Sequence, residues 1–213
     1  AERDFAAVGL LARFPLILVV APSTPARNWK EFLAWAKANA EGTSYASAGI
    51  GSPHHLAAEL LRERTGLKFS HVAYRGAAPA VQDLMGGQVP FMFVDSASGY
   101  QFIASGKLKA IGVASPERMK TMAEIPTLAE QGLTGFEAWA WQGLVLPAAA
   151  KPETVARLST ALQAAFASTE IKARFQAIGV EAMPGTPAQM AAYVKAERER
   201  WGRLIRDNGI KLD

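Results

Sequence analysis

The 213-residue sequence predicts an α/β fold with a mostly parallel sheet covered by helices on both faces. Short apolar segments typical of buried strands alternate with longer segments of helical periodicity along residues 15–114. The links between them are short and rich in glycine, as in folds that alternate strand and helix. Half of the residues are hydrophobic and 20% are charged, a composition that supports a globular core.

Each element of this alternation has a local signal. Asn28 followed by Glu31 resembles the capping box of a helix start, while Gly86 and Gly106 end two later helices. The predicted strands are Pro15–Ala21, Thr43–Ser47, Phe69–Tyr74, Val89–Val94 and Leu108–Ala114. The predicted helices between them are Asn28–Asn39, Pro53–Thr65, Ala78–Met85 and Ser96–Ser105.

The pattern changes after Ala114. Ile125–Thr127 predicts the start of a short helix, and the aromatic segment Gly135–Leu146 predicts a strand. Three helices are then predicted over Pro152–Ser168, Glu170–Ile178 and Thr186–Asp207. A helix-rich tail behind an α/β core indicates a second structural unit, or the return of the chain to a first one.

A glycine-rich turn follows the second predicted strand. Gly49 and Gly51 allow a tight turn and close approach of the backbone. Ser52 is a favoured N-cap, and Pro53 suits the first helical position. Such a junction directs free backbone N–H groups and the positive end of a helix dipole at one point, which suits an anion. The alternative of equal weight is a plain strand-to-helix turn that binds nothing.

Two further strand ends carry polar or glycine-rich residues, Tyr74-Arg75-Gly76 and Asp95-Ser96. If the strands are parallel, all three loops lie on one edge of the sheet, where ligands bind in open parallel sheets. Each residue also has a structural interpretation. In this interpretation, Arg75 would pair with an acid on the surface and Tyr74 would only pack against its neighbours. Asp95 would cap the next helix, which is the role we prefer for it.

Composition excludes several classes of function. The net charge is +4, but the basic residues are scattered among acids, which argues against a nucleic-acid partner. The absence of cysteine excludes disulfides, thiolate catalysis and cysteine-type zinc sites. No apolar run reaches the length of a membrane span. No signal peptide is visible, so we expect a cytosolic chain or the mature form of an exported one.

Enzyme motifs are also missing. Ser52, His54, His55, His71 and Asp95 are candidates for a hydrolytic set, but no Gly-x-Ser-x-Gly segment occurs. His54 and His55 are adjacent, so on a helix they point about 100° apart and cannot share a metal ion. The sequence therefore predicts no catalytic residue, no metal site and no cofactor.

Six segments, taken together and in order, resemble the periplasmic solute-binding proteins of tripartite tricarboxylate transporters, also called the Bug family. They are SAGIGSPHHL at 47–56, YRGAAPA at 74–80, LMGGQV at 84–89, GKLKAI at 106–111, IPTLAE at 125–130 and GLVLP at 143–147. The resemblance spans the chain from about Phe5 to its end. Several linked motifs of this kind are far more specific than one glycine loop.

The resemblance implies a two-lobed periplasmic-binding-protein fold of type 2. One complete α/β lobe is expected at 14–142, with 1–13 and 143–213 forming a helix-rich, incomplete part of the other lobe. Family members normally have a longer N-terminal segment with the first lobe's opening strands and a glycine-rich ligand loop. Because that segment is not in this sequence, we expect weakened or lost binding by this chain alone.

The resemblance also implies a function. Such proteins capture small organic carboxylates between their lobes in the periplasm and deliver them to a membrane permease. They are monomers, whereas an unpaired sheet edge would favour a homodimer or an exchanged segment. The implied ligand-binding residues are Ser47, Gly49, Gly51 and Ser52 as an anion cradle, Tyr74, Arg75 and Gly76 as a second wall, and Asp95 and Ser96 contacting a ligand ammonium, hydroxyl or water.

Two other functions are weighed against this one. A ligand-sensing domain of bacterial transcription factors shares the two-lobe architecture, but it needs an attached helix-turn-helix, and none is visible at either end. A small hydrolase is the alternative from a different class. The carboxylate that would be bound is not identified by the sequence.

Overall fold

The computed structural model describes residues 3–39 and 42–211. Its strands are β1 (Phe5–Val20), β2 (Ser44–Ser47), β3 (Ser70–Ala73), β4 (Phe91–Asp95), β5 (Lys109–Val113), β6 (Trp139–Pro147) and β7 (Glu181–Gly185). Its α-helices are α1 (Trp29–Ala38), α2 (Pro53–Thr65), α3 (Ala77–Met85), α4 (Ser96–Ala104), α5 (Pro152–Ala167), α6 (Thr169–Ala177) and α7 (Pro187–Asp207). Within the described ranges, no helix combines the length and the apolarity that crossing a bilayer requires.

The chain divides into two compact units. Unit 1 comprises Ala1–Phe14 and Trp141–Arg203, and unit 2 comprises Pro15–Ala140 and Leu204–Asp213. Strands β1 and β6 and helix α7 each contribute residues to both units. The predicted division placed all of 143–213 outside the α/β lobe, whereas the described residues from Leu204 onward group with unit 2. That unit 2 is a complete lobe stays a prediction.

Unit 2 contains a five-stranded sheet in the order β3-β2-β4-β1-β5. Strand β2 is parallel to both β3 and β4, whereas β1 is antiparallel to β4 and β5. The α/β class is confirmed, and the sheet is mixed because this one strand runs against the other four. Apolar runs such as Pro15–Ala21 report burial on both faces but carry no information on direction.

Helices cover both faces of this sheet. Because side chains alternate along a strand, Ile17 and Val19 of β1 join Met92 of β4 in a core with residues from α3 and α4. On the opposite face, Phe91 meets Phe32 of α1 edge to face, with ring centroids 5.2 Å apart. All five of these side chains are fully buried. This double cover leaves the ends of the strands as the exposed edges of the sheet.

Unit 1 has its own strand pairing, which the sequence did not reveal. Strand β1 begins at Phe5, ten residues before its predicted start, and β7 pairs with it antiparallel. At Gly9 an added Cβ would lie 2.4 Å from the carbonyl oxygen of Gly185, so this close approach requires glycine. The segment Glu181–Gly185 contains proline and glycine and lacks a strand pattern, which is why the sequence did not predict β7.

The short helix predicted at Ile125–Thr127 is wrong. Thr127 and Glu130 exchange the two hydrogen bonds of a capping box, with the Glu130 amide 3.0 Å from the Thr127 hydroxyl. Only hydrogen-bonded turns follow. Thr127 bridges Val113 in parallel, and the Leu128 amide donates to the Val113 carbonyl at 2.9 Å. This pairing with the sheet edge holds the backbone extended where the helix was expected to begin.

Candidate ligand-binding site

The three loops predicted to share one edge of the sheet do so. Because β2, β3 and β4 are parallel, their last residues, Ser47, Ala73 and Asp95, lie at the same end of the sheet. Two backbone hydrogen bonds join the first two loops beyond the strands. Tyr74 N–H donates to the Ser47 carbonyl at 3.0 Å, and Gly76 N–H donates to the Ala48 carbonyl at 3.2 Å.

The glycine loop after β2 has the predicted local structure. Gly49 and Gly51 have φ angles of +130° and +74°, which side-chain-bearing residues rarely adopt. Ser52 is the N-cap of α2, and its hydroxyl accepts from the His55 amide at 3.3 Å. The same hydroxyl donates to the Gly49 carbonyl at 2.7 Å, and Pro53 is the first helical residue. Both terminal predictions, the serine cap and the proline start, are confirmed.

Two amides of this loop are not free. Gly49 N–H donates to the Ser47 hydroxyl at 3.1 Å, and Gly51 N–H donates to Nδ1 of His55 at 3.0 Å. From the sequence we expected free backbone N–H groups at this junction to face an anion. Instead, the side chain of Ser47 accepts from Gly49 N–H, and the side chain of His55 accepts from Gly51 N–H. A role of this loop in ligand binding stays a prediction.

The start of α3 is more open. Its N-cap, Gly76, has φ +117° and makes no side-chain cap, and Pro79 has no N–H. In the described part of the chain, no acceptor is recorded for the N–H groups of Ala77 and Ala78. Arg75 is exposed, and no ion pair is recorded for it among residues 3–39 and 42–211. A cation therefore stands beside the positive end of a helix dipole.

Tyr74 is fixed against α3. Its hydroxyl donates to Asp83 Oδ2 at 2.8 Å. Burial, and then this hydrogen bond to a carboxylate, raise the pKa of Tyr74 to about 12. The phenol therefore stays neutral at physiological pH, and its ring packs against the core beneath α3.

Asp95 is the N-cap of α4, which was its preferred predicted role. Its Oδ1 accepts from the Ser98 amide at 2.9 Å, and its Oδ2 lies 3.2 Å from Nε2 of His54. Burial acts to raise the pKa of Asp95, but the hydrogen bonds from His54 and Ser98 outweigh it and lower that pKa below its ordinary value. Nδ1 of His54 is buried and has no hydrogen-bond partner among the described residues. Ser96 is fully buried.

A buried polar cluster behind the glycine loop was not predicted from the sequence. The rings of His55 and His71 stack with centroids 3.9 Å apart at 7°, and Tyr45 stacks on His71 at 4.9 Å. Tyr45 donates to Glu59, which also accepts two bonds from Arg62 at 2.6 and 2.8 Å. The spacing of His55, Glu59 and Arg62 on one helix face was a usable signal. The pairing of Tyr45 with His71 depends on the β2–β3 register, which the sequence does not display.

The geometry argues against hydrolysis. Ser47 Oγ lies 2.6 Å from Nε2 of His71, which resembles a nucleophile and its base. However, Ser47 exposes none of its surface, so a substrate carbonyl has no approach to this oxygen. Ser52, the nucleophile considered from the sequence, uses its hydroxyl in the cap of α2. In the described ranges, no group of three histidines or carboxylates could hold a metal ion.

Comparison with known proteins identifies the family. The family model described as "Tripartite tricarboxylate transporter family receptor" matches residues 1–210. The chain belongs to this family. Among curated relatives, a UPF0065 protein from the tcbD–tcbE intergenic region of Pseudomonas sp. (strain P51) is 37% identical over 96% of this chain and 61% of its own length. Protein BugT of Bordetella pertussis is 30% identical over 99% of this chain and 64% of its own length.

Solved structures give the same result. Rpa4515 of R. palustris, determined with adipate, has a TM-score of 0.93 at 29% identity and covers 97% of this chain and 69% of its own. Periplasmic binding protein BugD has a TM-score of 0.92 at 33% identity, with 99% and 72% covered. MatC of Rhodopseudomonas palustris, with bound malate, has a TM-score of 0.88 at 29% identity, with 94% and 69% covered. The chain spans about three fifths of the length of the two curated relatives.

Proposed function

We propose that this chain is part of a receptor that captures a small organic carboxylate for a tripartite tricarboxylate-type transporter. Membership of the receptor family over residues 1–210 supports the transport role. The adipate and malate found with two structural relatives support the ligand class. In this proposal the receptor works in the periplasm and delivers its ligand to membrane permease subunits. No catalytic step and no cofactor are assigned to it.

The observation that carries the proposal is that two helices begin side by side at the carboxyl ends of the parallel strands. Helices α2 and α3 begin after the adjacent parallel strands β2 and β3, and their preceding loops are joined by backbone hydrogen bonds. Helix N-termini stabilise negative charge, and a carboxylate that accepts from backbone N–H groups needs no counter-ion in the same place.

Within this edge, the start of α3 is the proposed carboxylate contact. Arg75 supplies a guanidinium that can bind a carboxylate through two parallel hydrogen bonds. The N–H groups of Ala77 and Ala78 add two donors with no recorded acceptor in the described residues. A Cβ added at Gly76 would meet nothing within 4 Å, so a ligand can approach this backbone closely.

The other predicted site residues take supporting positions in the proposal. The loop with Ser47, Gly49, Gly51 and Ser52 lies beside the start of α3 through the Tyr74–Ser47 and Gly76–Ala48 backbone hydrogen bonds, and its own hydrogen bonds hold it in shape. Tyr74, with Arg75 and Gly76, belongs to the second wall of the proposed site. Both oxygens of the Asp95 carboxylate are engaged, and Ser96 exposes none of its surface, so a contact of these two with a ligand ammonium, hydroxyl or water stays a prediction from the resemblance. That a second lobe completes the site stays a prediction from the resemblance.

The proposal is tested by titrating the 15N-labelled chain with malate and with adipate up to millimolar concentrations. We expect shifts of the Ala77 and Ala78 amide signals with both acids and none with the uncharged diamide of adipate. The variant Arg75→Ala weakens the response, while Arg27→Ala serves as the matched control. Arg27 is also exposed, but it follows the end of β1 that pairs with the start of β4, at the opposite edge of the sheet.

Two results would contradict the proposal. If neither acid shifts these amides, either in this chain or in a version extended at its N-terminus by the family's longer segment, the edge is not a carboxylate site. If Arg27→Ala weakens the response as much as Arg75→Ala, the attraction is a general effect of net charge and not a contact at the start of α3.

A further inference from the structure

The glycine loop is held from behind by two stacked histidine rings. Gly51 N–H donates to Nδ1 of His55 at 3.0 Å. On the neighbouring strand, Nε2 of His71 lies 2.6 Å from the Ser47 hydroxyl, which accepts from Gly49 N–H at 3.1 Å. The two ring centroids are 3.9 Å apart. Both glycine amides of the loop therefore depend, directly or through one hydroxyl, on this histidine pair.

The two rings respond differently to a proton. A ring nitrogen accepts a hydrogen bond only while it carries no hydrogen, so the contact between Gly51 and His55 requires an unprotonated Nδ1. A proton at that nitrogen would place two donors face to face. A proton on His71 is compatible with its contact, because the Ser47 oxygen can accept. Two parallel rings at this separation do not carry a positive charge at the same time.

The surroundings indicate which ring takes the proton. The ionisable groups recorded around the pair are Tyr45 of β2, stacked beside both rings, and Glu59 and Arg62 of α2. Nε2 of His55 lies 3.9 Å from Glu59 Oε1. The carboxylate favours a proton on His55, although Arg62 neutralises part of its charge.

Burial keeps both rings neutral at pH 7. It is the largest effect on each ring, and it lowers the pKa of His55 below its ordinary value. Burial and then the neighbouring His55 lower the pKa of His71 to about 4. The contact between Gly51 N–H and His55 therefore holds at neutral pH and is lost as the pH falls below the ordinary pKa of histidine, about 6.5, far enough to protonate His55.

We propose that His55 and His71 are positioning residues for the ligand-binding loop, and that a proton on His55 releases this loop and weakens carboxylate binding beside it. The proposal rests on the proposed function for its second part only. Its first part concerns the loop in the chain without ligand. An acidic compartment or local acidification would then favour release of the ligand over capture.

The first part is tested without any ligand. Amide exchange and 15N–1H chemical shifts of Gly49 and Gly51 are followed from pH 7.5 to pH 4.5, with exchange corrected for its intrinsic pH dependence. In the parent chain we expect the protection of Gly51 to fall roughly tenfold as the hydrogen bond is lost. In His55→Asn, whose amide oxygen accepts near the place of Nδ1 but does not titrate, we expect no such fall.

Three further variants separate the histidines. His71→Gln keeps an acceptor near Nε2, and we expect the Gly51 transition to remain in it, because His55 takes the proton while His71 is still neutral. His54→Asn is the matched control, since His54 contacts Asp95 and neither glycine amide, and we expect it to retain the transition. His55→Leu removes the acceptor, and if it folds, Gly51 is unprotected at every pH.

The second part uses malate and adipate as probes. For each acid, the affinity at pH 7.5 is expected to exceed the affinity at pH 5 by more than about fivefold in the parent. In His55→Asn the two affinities are expected to be nearly equal. A flat Gly51 signal in the parent, or a transition that persists in His55→Asn or disappears in His54→Asn, overturns the positioning role. A pH-dependent loop with equal affinity at both pH values overturns the link to binding. A pH-dependent loop without binding, in this chain and in the version extended at its N-terminus, contradicts the proposed function instead and leaves the positioning role supported.

Discussion

Two tyrosines that each donate to a carboxylate allow a matched test of how burial sets the strength of a hydrogen bond. Tyr45 is fully buried and donates to Glu59, whose exposure is 2%. Tyr74 donates to Asp83 at 2.8 Å, and both residues are partly exposed. The substitution Tyr→Phe removes one oxygen at each position and leaves the ring. In Tyr45→Phe, the Glu59 carboxylate loses a donor that water cannot replace.

The expected costs follow from the burial of the acceptors. A hydrogen bond to a charged group contributes about 1.5–3 kcal/mol, and a buried acceptor left with fewer donors moves the cost to the upper part of that range. Glu59 retains its two bonds to Arg62, so the charge remains paired. We expect Tyr45→Phe to lower the free energy of unfolding by about 2–3 kcal/mol. Tyr74→Phe should lower it by about 1 kcal/mol or less, because water can solvate Asp83.

Urea denaturation followed by tryptophan fluorescence gives the free energy of unfolding of both variants, and thermal denaturation gives their Tm. A loss of 2–3 kcal/mol corresponds to a decrease of about 4–12 °C in Tm for a chain of this size, against less than about 4 °C for the control. The ring stack on His71 is retained by phenylalanine, so near-ultraviolet circular dichroism should stay close to that of the parent. Equal losses in the two variants, or a larger loss in Tyr74→Phe, would refute the reasoning that burial of the acceptor decides the cost.

Three other predictions concern stability. The folded-state pKa of His71 is about 4, below its ordinary value, so this ring stabilises the fold fully above about pH 6.5 and loses that contribution as the pH falls towards 4. After allowance for partial solvent screening, the lost contribution to the free energy of unfolding is about 1–2 kcal/mol. The difference between the urea midpoints at pH 7.5 and pH 4.5 should therefore be smaller in His71→Gln than in the parent. Phe32→Ala removes a fully buried ring from the α1 face of the sheet and should cost about 3–5 kcal/mol; a loss under about 1 kcal/mol would contradict the assigned packing. Asp95→Ala removes the cap of α4 and the contact with His54, and it should cost about 1 kcal/mol more than Asp95→Asn, which keeps a capping oxygen.

The parts of the site that the sequence predicted are those with local causes. Ser52 and Asp95 cap helices because their side-chain oxygens reach an amide three residues ahead, a geometry set within one turn. Gly49, Gly51 and Gly76 occupy turns with positive φ for the same local reason. The strand ends were therefore placed correctly, and their common edge followed once β2, β3 and β4 proved parallel.

The parts that were missed have distant causes. The direction of β1 and the existence of β7 depend on partners far away in sequence, as the register between Leu10 and Gly185 shows. The hydrogen bonds that occupy the loop amides also depend on contacts between residues distant in sequence. His71 reaches the Ser47 hydroxyl because parallel pairing places β3 beside β2 in one particular register.

The sequence by itself determined the α/β class, the helix caps, the glycine turns and, through linked motifs, the family. These depend on interactions within a few residues or on residue order, both of which can be read directly along the chain. Only the tertiary structure decided that two loop amides are satisfied by Ser47 and His55, that the start of α3 beside Arg75 is the open one, and that a histidine pair lies behind the loop. Each of these depends on which side chains meet across strands and helices, and that is settled by packing and register, which no local pattern records.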